Sequence, residues 1–222
     1  MNDIQAVIFD LDGLLIDSEP LWEEAEMAVF ARSGITITRE ACMKVKGMRV
    51  DESVRYILNM FPGATANPEK LTQQIQEKVI RLIAEKGKGM PGYIYILHFF
   101  RSRGIKVGLA SASKMEVINA ALQKLGISHH FEVIHSAEYK KYGKPHPGIF
   151  LTASEYLKIK PEQCLVFEDS LNGVIAARAA RMRVVAVPEA SLQTDPRFAI
   201  AHLVLPSLLH FKEHHLQHLN SL

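Results

Sequence analysis

Residues 6–13 read AVIFDLDG, an apolar run that reaches two aspartates one residue apart and then a glycine. A short, almost wholly apolar run is typical of a strand buried on both faces of a parallel sheet. Side chains at positions i and i+2 of a strand point to the same side, so Asp10 and Asp12 are expected to stand together where the strand ends. Two like charges this close need a compensating cation or a shared proton.

The segment after this strand has the pattern of successive helices. From residue 18 onward, apolar side chains recur at three- and four-residue spacing, and helices without any intervening strand are predicted as far as residue 86. A glycine-rich stretch, GKGMPG, follows at residues 87–92. We therefore expect residues 18–87 to form a small helical cap domain, inserted into a core domain made of residues 1–17 and 88–222.

Beyond residue 92 the pattern changes to an alternation of strands and helices. Strands that alternate with helices are typical of a parallel sheet with right-handed crossovers. We expect an α/β fold, a doubly wound parallel sheet, with a surface helix over residues 207–219 near the end of the chain. The predicted strands cover residues 4–9, 105–110, 131–135, 164–168 and 183–187.

Composition excludes several classes of protein. A chain of 222 residues with 48% apolar residues has room for one substantial core and a smaller satellite. The net charge is +2, and no basic stripe suggests a nucleic-acid partner. Two cysteines, Cys42 and Cys164, do not suggest a disulfide framework, and no signal peptide or membrane-spanning run is evident. We expect a cytoplasmic monomer with no membrane partner.

Polar side chains with matching chemistry follow several of the predicted strands. In an open parallel sheet, ligands bind beyond the carboxyl ends of the strands, which share one edge. The turn after the second strand is small and hydroxylated, and a lysine lies in the loop after the third. The residues expected at this edge are Asp10, Asp12, Ser111, Ala112, Ser113, Lys144, Glu168 and Asp169.

These side chains suit phosphoryl transfer. Asp10, Asp169 and Glu168 offer the oxygen ligands that Mg²⁺ prefers. Lys144 supplies a positive charge, and Ser111 with nearby backbone N–H groups can hold phosphate oxygens. A carboxylate can attack phosphorus once the metal and the lysine neutralise the mutual repulsion, and a second carboxylate can then protonate the leaving oxygen and activate water.

The order of these motifs resembles that of the haloacid dehalogenase superfamily, in which a helical cap follows the first motif. The motifs are DLDG at residues 10–13, the turn at Ser111, Lys144, and the pair Glu168-Asp169. Within the superfamily, the chain resembles the β-phosphoglucomutase-like phosphatases. That likeness rests on DGLLIDSE at 12–19, KPHP at 144–147 and FEDSLNG at 167–173.

The resemblance implies a role for each matching residue. Asp10 would be the nucleophile, and Asp12 the general acid and base. Mg²⁺ would sit on Asp10, the backbone carbonyl of Asp12 and Asp169. The residues that would hold the phosphoryl group are Ser111, Ala112 and Lys144.

Four residues are less fully assigned. Glu168 would ligate the metal either directly or through water. Lys46, Gly47 and Arg49 fall in a turn between two predicted cap helices. There they either reach the non-phosphate end of the substrate or form a solvated loop.

We therefore predict a Mg²⁺-dependent phosphatase of small phosphomonoesters that forms an aspartyl phosphate. The expected substrates are sugar phosphates such as hexose 6-phosphates, 2-deoxyglucose 6-phosphate or a hexitol phosphate. Dehalogenases of the superfamily lack the second aspartate, so Asp12 favours phosphoryl transfer. The alternatives are a β-phosphoglucomutase-type mutase, a nucleotide or pseudouridine 5′-phosphatase, and a phospho-acceptor without turnover. Those mutases carry a cap histidine where this chain has Trp22, which favours hydrolysis.

Overall fold

The structure, a computed structural model, describes residues 3–222. Within these residues, six parallel strands form one sheet, in the order β3-β2-β1-β4-β5-β6. The strands are Ala6–Phe9 (β1), Lys106–Ser111 (β2), Val133–Ser136 (β3), Cys164–Glu168 (β4), Arg183–Ala186 (β5) and Leu203–Val204 (β6). The helices are Glu19–Arg32 (α1), Arg39–Lys44 (α2), Val50–Asn59 (α3), Pro68–Lys86 (α4), Tyr93–Arg101 (α5), Met115–Leu125 (α6), Gly148–Leu157 (α7), Leu171–Ala179 (α8) and Glu213–Asn220 (α9).

Strand β1 lies in the middle of the sheet because its residues are apolar and fully buried on both faces. Phe9 is opposite Leu109 of β2 and Phe167 of β4, so the three strands end almost level. This register brings the residues that follow β1, β2 and β4 to one edge. The predicted fold class, a doubly wound parallel α/β sheet, is confirmed. The two-residue strand β6 was not predicted.

Each face of β1 packs into its own apolar cluster, since successive side chains of a strand alternate between faces. Val7 and Phe9 face one cluster, which also contains residues of α5 and α6. Ala6 and Ile8 face the other, which contains residues of α7 and α8. The ring of Phe9 stacks on that of Phe167 with centroids 5.1 Å apart. Helices on both faces therefore fix the edge where β1 ends.

Residues 18–87, which we call the helical insertion, contain α1 to α4. The chain leaves β1 and returns along two segments that run side by side. Asp17 N donates to Lys88 O at 2.8 Å, and Met90 N donates to Leu15 O at 2.9 Å. The buried apolar residues of the insertion are continuous with the cluster on one face of the sheet. None of the helices within residues 3–222 is long and apolar enough to cross a membrane.

Candidate active site

Lys144 and two carboxylates form a buried group at the edge where β1 and β4 end. Lys144 Nζ lies 2.6 Å from Asp10 Oδ1 and also contacts Glu168 Oε1. All three side chains are buried. Burial raises the pKa of Asp10 well above its ordinary value, and the charge of Lys144 opposes this rise. The pKa of Lys144 is itself raised, because the two carboxylates outweigh the effect of burial. Lys144 therefore compensates the charge of Asp10.

Glu168 is held on both of its oxygens. Its Oε1 contacts Lys144, and its Oε2 accepts hydrogen bonds from the backbone N and the Oγ of Ser170, each at 2.9 Å. A Cβ at position 173 would lie 1.7 Å from Glu168 Oε1, so Gly173 is what allows helix α8 to start this close. The arrangement orients Lys144 toward Asp10. Direct metal ligation by Glu168 would require one of these partners to move.

Asp169 faces the helical insertion rather than Lys144. Lys46 Nζ, from the turn after α2, lies 2.8 Å from Asp169 Oδ2. The contact lacks hydrogen-bond geometry, and Oδ2 has no hydrogen-bond donor among residues 3–222. Burial raises the pKa of Asp169 to about 6, and Lys46 opposes that rise. Gly13, with φ +73°, leaves the space next to this oxygen, since a Cβ there would lie 2.4 Å from Oδ2.

The acidic residues at this edge fit a divalent cation. One oxygen each of Asp10, Glu168 and Asp169 lies within 4.8 Å of the others, and all three residues are buried. Carboxylate oxygens are the ligands that a hard cation such as Mg²⁺ takes. Asp169 Oδ2 is paired with the Lys46 ammonium at 2.8 Å. The support for a metal site is therefore the buried set of three carboxylates.

Asp12 has a different environment from Asp10. Its Oδ1 accepts from Ser18 Oγ at 2.7 Å and from Trp22 Nε1 at 3.0 Å. Its Oδ2 accepts from Ser113 Oγ at 2.7 Å and from Ser111 Oγ at 3.3 Å. Ser18 stands at the N-cap position of α1, but its side chain makes no capping hydrogen bond. Asp12 is therefore held by hydroxyl and indole donors from both the insertion and the sheet edge.

Asp10 and Asp12 line a cavity of about 60 Å³ between the sheet edge and the helical insertion. This volume holds only a few water molecules and is well below the roughly 300–1,000 Å³ of typical ligand pockets. Ala112 lines the cavity on the sheet side. The insertion contributes three acidic residues and several apolar ones. These are Glu19, Glu23, Glu26, Met43, Val45, Met48 and Val50.

Two of these acids are buried enough for their titration to change. Burial raises the pKa of Glu26 to about 7, and the charge of Glu23 adds to the effect. Burial also raises the pKa of Glu19 well above its ordinary value, and Lys46 opposes this. The helical insertion therefore contributes an acidic wall to the cavity. This wall contains three glutamates and one lysine, Lys46.

The structure places Gly47 and Arg49, two of the residues predicted in the cap turn, in different openings. Gly47 lines the cavity with φ +75°, and a Cβ there would lie 2.4 Å from Ser170 Oγ. Arg49 does not line this cavity. Its guanidinium pairs with Asp51 and donates from Nη1 to Lys140 O at 2.6 Å. It lines a neighbouring opening of about 440 Å³, which shares Ala112 and Val50 with the first.

Several site residues were not assigned their observed roles from the sequence. Ser113 is closer to Asp12 than Ser111 is, and its position in the hydroxylated turn was the available signal. Three of the four acids of α1 recur at spacings of four and three residues, which places Glu19, Glu23 and Glu26 on one helix face. This spacing was the available signal for a polar face on α1. The pairing of Lys46 with Asp169 had no sequence signal.

A family model for haloacid dehalogenase-like hydrolases matches residues 4–181. The chain belongs to this family. This haloacid dehalogenase-like hydrolase is 38% identical over 208 residues to hexitol phosphatase B of Escherichia coli (strain K12), covering 93% of this chain and 94% of the relative. It is 33% identical over 177 residues to a phosphorylated carbohydrates phosphatase of Thermotoga maritima, covering 80% and 82%.

The fold of this haloacid dehalogenase-like hydrolase also matches solved structures. A β-phosphoglucomutase from Clostridium difficile superposes with a TM-score of 0.86 at 29% identity, covering 98% of this chain and 97% of the other. The resemblance inferred from the motifs is therefore confirmed. Hydrolases of this family generally use a divalent metal, which agrees with the buried acidic cluster at the sheet edge.

Proposed function

We propose that this protein is a Mg²⁺-dependent phosphatase that hydrolyses small sugar phosphates through an aspartyl phosphate on Asp10. The observation that carries the proposal is the contrast between two neighbouring carboxylates. Asp10 contacts a buried cation, Lys144, whereas Asp12 accepts from four hydroxyl and indole donors. Two carboxylates in environments this different are suited to different roles. The family and the phosphatase names of its relatives support hydrolysis of a phosphoric monoester.

Asp10 is the attacking group in this mechanism. Lys144 compensates and orients its carboxylate, from which one oxygen forms a bond to phosphorus while the bond to the substrate's alcohol oxygen breaks. Asp12, in its protonated form, gives its proton to the departing oxygen. The Asp12 carboxylate then takes a proton from water, whose oxygen attacks phosphorus. The bond between Asp10 and phosphorus breaks, which releases phosphate and regenerates both aspartates.

The remaining residues hold charge and position. Asp10, Asp169 and the backbone carbonyl of Asp12 would hold Mg²⁺, which neutralises negative charge on the attacking carboxylate and the phosphoryl group. Ser111 and Ala112, with Lys144, would hold the phosphoryl oxygens. Glu168 acts through Lys144, because both of its oxygens are already occupied.

The small cavity implies that residues 18–87 move. A space of about 60 Å³ does not admit a sugar phosphate, so the helical insertion acts as a cap that opens for binding and closes for chemistry. The paired segments at residues 14–17 and 87–89 are the hinges. Closure excludes bulk water, which strengthens the electrostatic effects of Lys144 on Asp10.

The acidic wall of the cavity favours the monophosphate of a hydroxylated carbon chain. Glu19, Glu23 and Glu26 can form hydrogen bonds with hydroxyl groups, and none of them offers a positive charge to a second phosphate. A phosphomutase needs to bind a bisphosphate, for which these three side chains supply no cation. Trp22, which donates to Asp12, also stands where the mutases carry a histidine. The names of the relatives, hexitol phosphatase and phosphorylated carbohydrates phosphatase, agree with such a substrate.

The test is hydrolysis of a panel of phosphorylated metabolites by the purified protein with Mg²⁺. Sorbitol 6-phosphate, 2-deoxyglucose 6-phosphate, glucose 6-phosphate and pseudouridine 5′-phosphate represent the candidate substrates. We expect the sugar and hexitol phosphates to be hydrolysed fastest, and chelation by EDTA to abolish turnover reversibly. The interconversion of glucose phosphates, followed by NMR with a bisphosphate activator, would instead indicate the mutase. Asp10→Asn with unimpaired turnover would contradict the mechanism.

A further inference from the structure

The start of helix α3 contacts the loop that carries Lys144. We call residues 137–147 the lysine loop; it joins β3 to α7 and lies on the sheet side of the cleft. From the insertion, Arg49 Nη1 donates to Lys140 O at 2.6 Å and to Ala137 O at 3.4 Å. In return, Gly143 N donates to Glu52 Oε1 at 3.0 Å. The insertion therefore binds the lysine loop on both its carbonyl and its N–H groups.

The lack of a side chain at Gly143 leaves room for the carboxylate of Glu52. Gly143 is buried, and a Cβ at this position would lie 2.3 Å from Glu52 Oε2 and 3.0 Å from Arg49 Cγ. Its φ is not in the left-handed region, unlike that of Gly47 and five other glycines. Other residues could therefore adopt the backbone conformation of Gly143. A glycine is needed for the contact with Glu52, because a Cβ would collide with the Glu52 carboxylate.

Glu52 and Arg49 also contact each other. Arg49 Nε lies 3.9 Å from Glu52 Oε1, and the same guanidinium is held by Asp51 through two short hydrogen bonds. The side chains of Arg49 and Glu52 are largely shielded from solvent. A guanidinium fixed in this way keeps its remaining donors aimed at the carbonyl groups of the loop.

The hydrogen bond from Gly143 N to Glu52 holds the backbone immediately before Lys144. Lys144 is the cation that compensates Asp10, and its position depends on the backbone of the lysine loop. We propose that Glu52 is a positioning residue, which fixes the peptide before Lys144 and so places Lys144 beside Asp10 only when the helical insertion is closed. The inference rests on the proposed function, because it gives Lys144 a part in turnover. It couples cap closure to assembly of the catalytic group.

The first test compares Glu52→Ala with Glu52→Gln. Glutamine keeps an oxygen that accepts from Gly143 N, whereas alanine removes it. The loss of one such hydrogen bond corresponds to roughly a tenfold effect. We expect Glu52→Ala to lower kcat about tenfold with a smaller change in KM, and Glu52→Gln to stay within about threefold of wild type. The matched control is Glu69→Gln, because Glu69 is an exposed acid on α4 that pairs with Arg55 and should leave kcat unchanged.

The second test uses a double substitution. Gly143→Ala introduces a Cβ that displaces the Glu52 carboxylate, so it should lower kcat about as much as Glu52→Ala. Because both changes break the same contact, the double variant should be no slower than either single one. Independent, multiplying effects of the two substitutions would overturn the proposal. So would a kcat of Glu52→Ala equal to that of wild type.

Hydrogen exchange separates this inference from the proposed function. The Gly143 amide should lose protection about tenfold in Glu52→Ala and keep it in Glu69→Gln, a result that does not depend on turnover. Lost protection with unchanged kcat would overturn the positioning role while leaving the phosphatase intact. A wild-type protein that hydrolyses no phosphomonoester contradicts the proposed function, whichever way the exchange comes out.

Discussion

Replacing Asp169 by asparagine is expected to stabilise the metal-free protein while removing metal binding. Burial raises the pKa of Asp169 from the ordinary value of 3.8 to about 6, against the opposing effect of Lys46. The folded state therefore holds the Asp169 proton more tightly than the unfolded state does. Ionisation of the Asp169 side chain therefore lowers the free energy of unfolding. Asparagine does not ionise, so the variant avoids this loss. In the proposed phosphatase, a metal bound by Asp169 would compensate that loss.

The size of the effect follows from the change in pKa. Each pKa unit corresponds to about 1.4 kcal/mol, so a rise from 3.8 to about 6 amounts to roughly 3 kcal/mol at neutral pH. The penalty is absent below the unfolded pKa of about 4, grows as pH rises, and is complete above about 6. Lys46 keeps a second acidic neighbour, Glu189, at 3.7 Å when Asp169 is lost. We therefore expect Asp169→Asn to raise Tm by up to about 6–12 °C.

Thermal unfolding in EDTA, at about pH 4 and about pH 8, measures this difference. Asp169→Asn should match wild type at the lower pH and exceed it at the higher one. Added Mg²⁺ should raise the Tm of wild type and leave that of the variant unchanged. Asp195→Asn is the control, because hydrogen bonds from Arg197 lower the pKa of this acid and no stabilisation is expected there. An Asp169→Asn variant less stable than wild type at neutral pH, or a gap independent of pH, would refute the reasoning.

Three further substitutions test the surroundings of the metal site and the cavity. Lys46→Met should tighten Mg²⁺ binding about tenfold by calorimetry, because it removes a positive charge 2.8 Å from Asp169; weaker binding would contradict this. Trp22→Phe should lower kcat about tenfold, because Asp12 loses an indole donor while the apolar packing is kept; an unchanged kcat would show that the donor is dispensable. At about pH 8, where Glu26 is ionised, Glu26→Gln should raise KM for sorbitol 6-phosphate about tenfold, because a carboxylate accepts hydroxyl hydrogen bonds more strongly than an amide. Hydrolysis of p-nitrophenyl phosphate, which has no hydroxyl groups, should stay near wild type, and equal losses on both substrates would contradict the role of Glu26.

Much of the sheet could be predicted because its strands carry a local signal. The apolar run before Asp10 and the alternation beyond residue 92 identify β1 to β5, and Cys164–Glu168 was predicted end to end. Strand β6, at Leu203–Val204, is too short to show alternation. The helix predicted over residues 207–219 begins only at Glu213. The helix starts late because of Phe211, whose buried ring packs into the aromatic cluster around Phe100. The backbone before α9 is drawn toward the core by this contact.

The candidate site also has one part that could be predicted from the sequence and one part that could not. Asp10, Lys144, Glu168 and Asp169 could be placed together because strand topology alone sends them to one edge. The partners of Asp12 and Asp169 from the insertion could not, because they depend on how the helical insertion sits on the sheet. A single sequence gives no measure of that contact. The placement of Arg49 against the lysine loop is of this kind, and so is the use of the Ser18 hydroxyl by Asp12 rather than as a helix cap.

The central claim is that Asp10 carries the phosphoryl group during turnover. The direct measurement is to quench the enzyme in acid while it turns over a sugar phosphate with Mg²⁺. Reduction of the trapped acyl phosphate with tritiated borohydride then releases the phosphate and converts the modified aspartate to tritium-labelled homoserine, which peptide mapping locates. We predict label on the peptide that contains Asp10, with Asp10 converted to homoserine, and no label in Asp10→Asn. Phosphate release without a labelled protein, or label on another residue, would contradict the account.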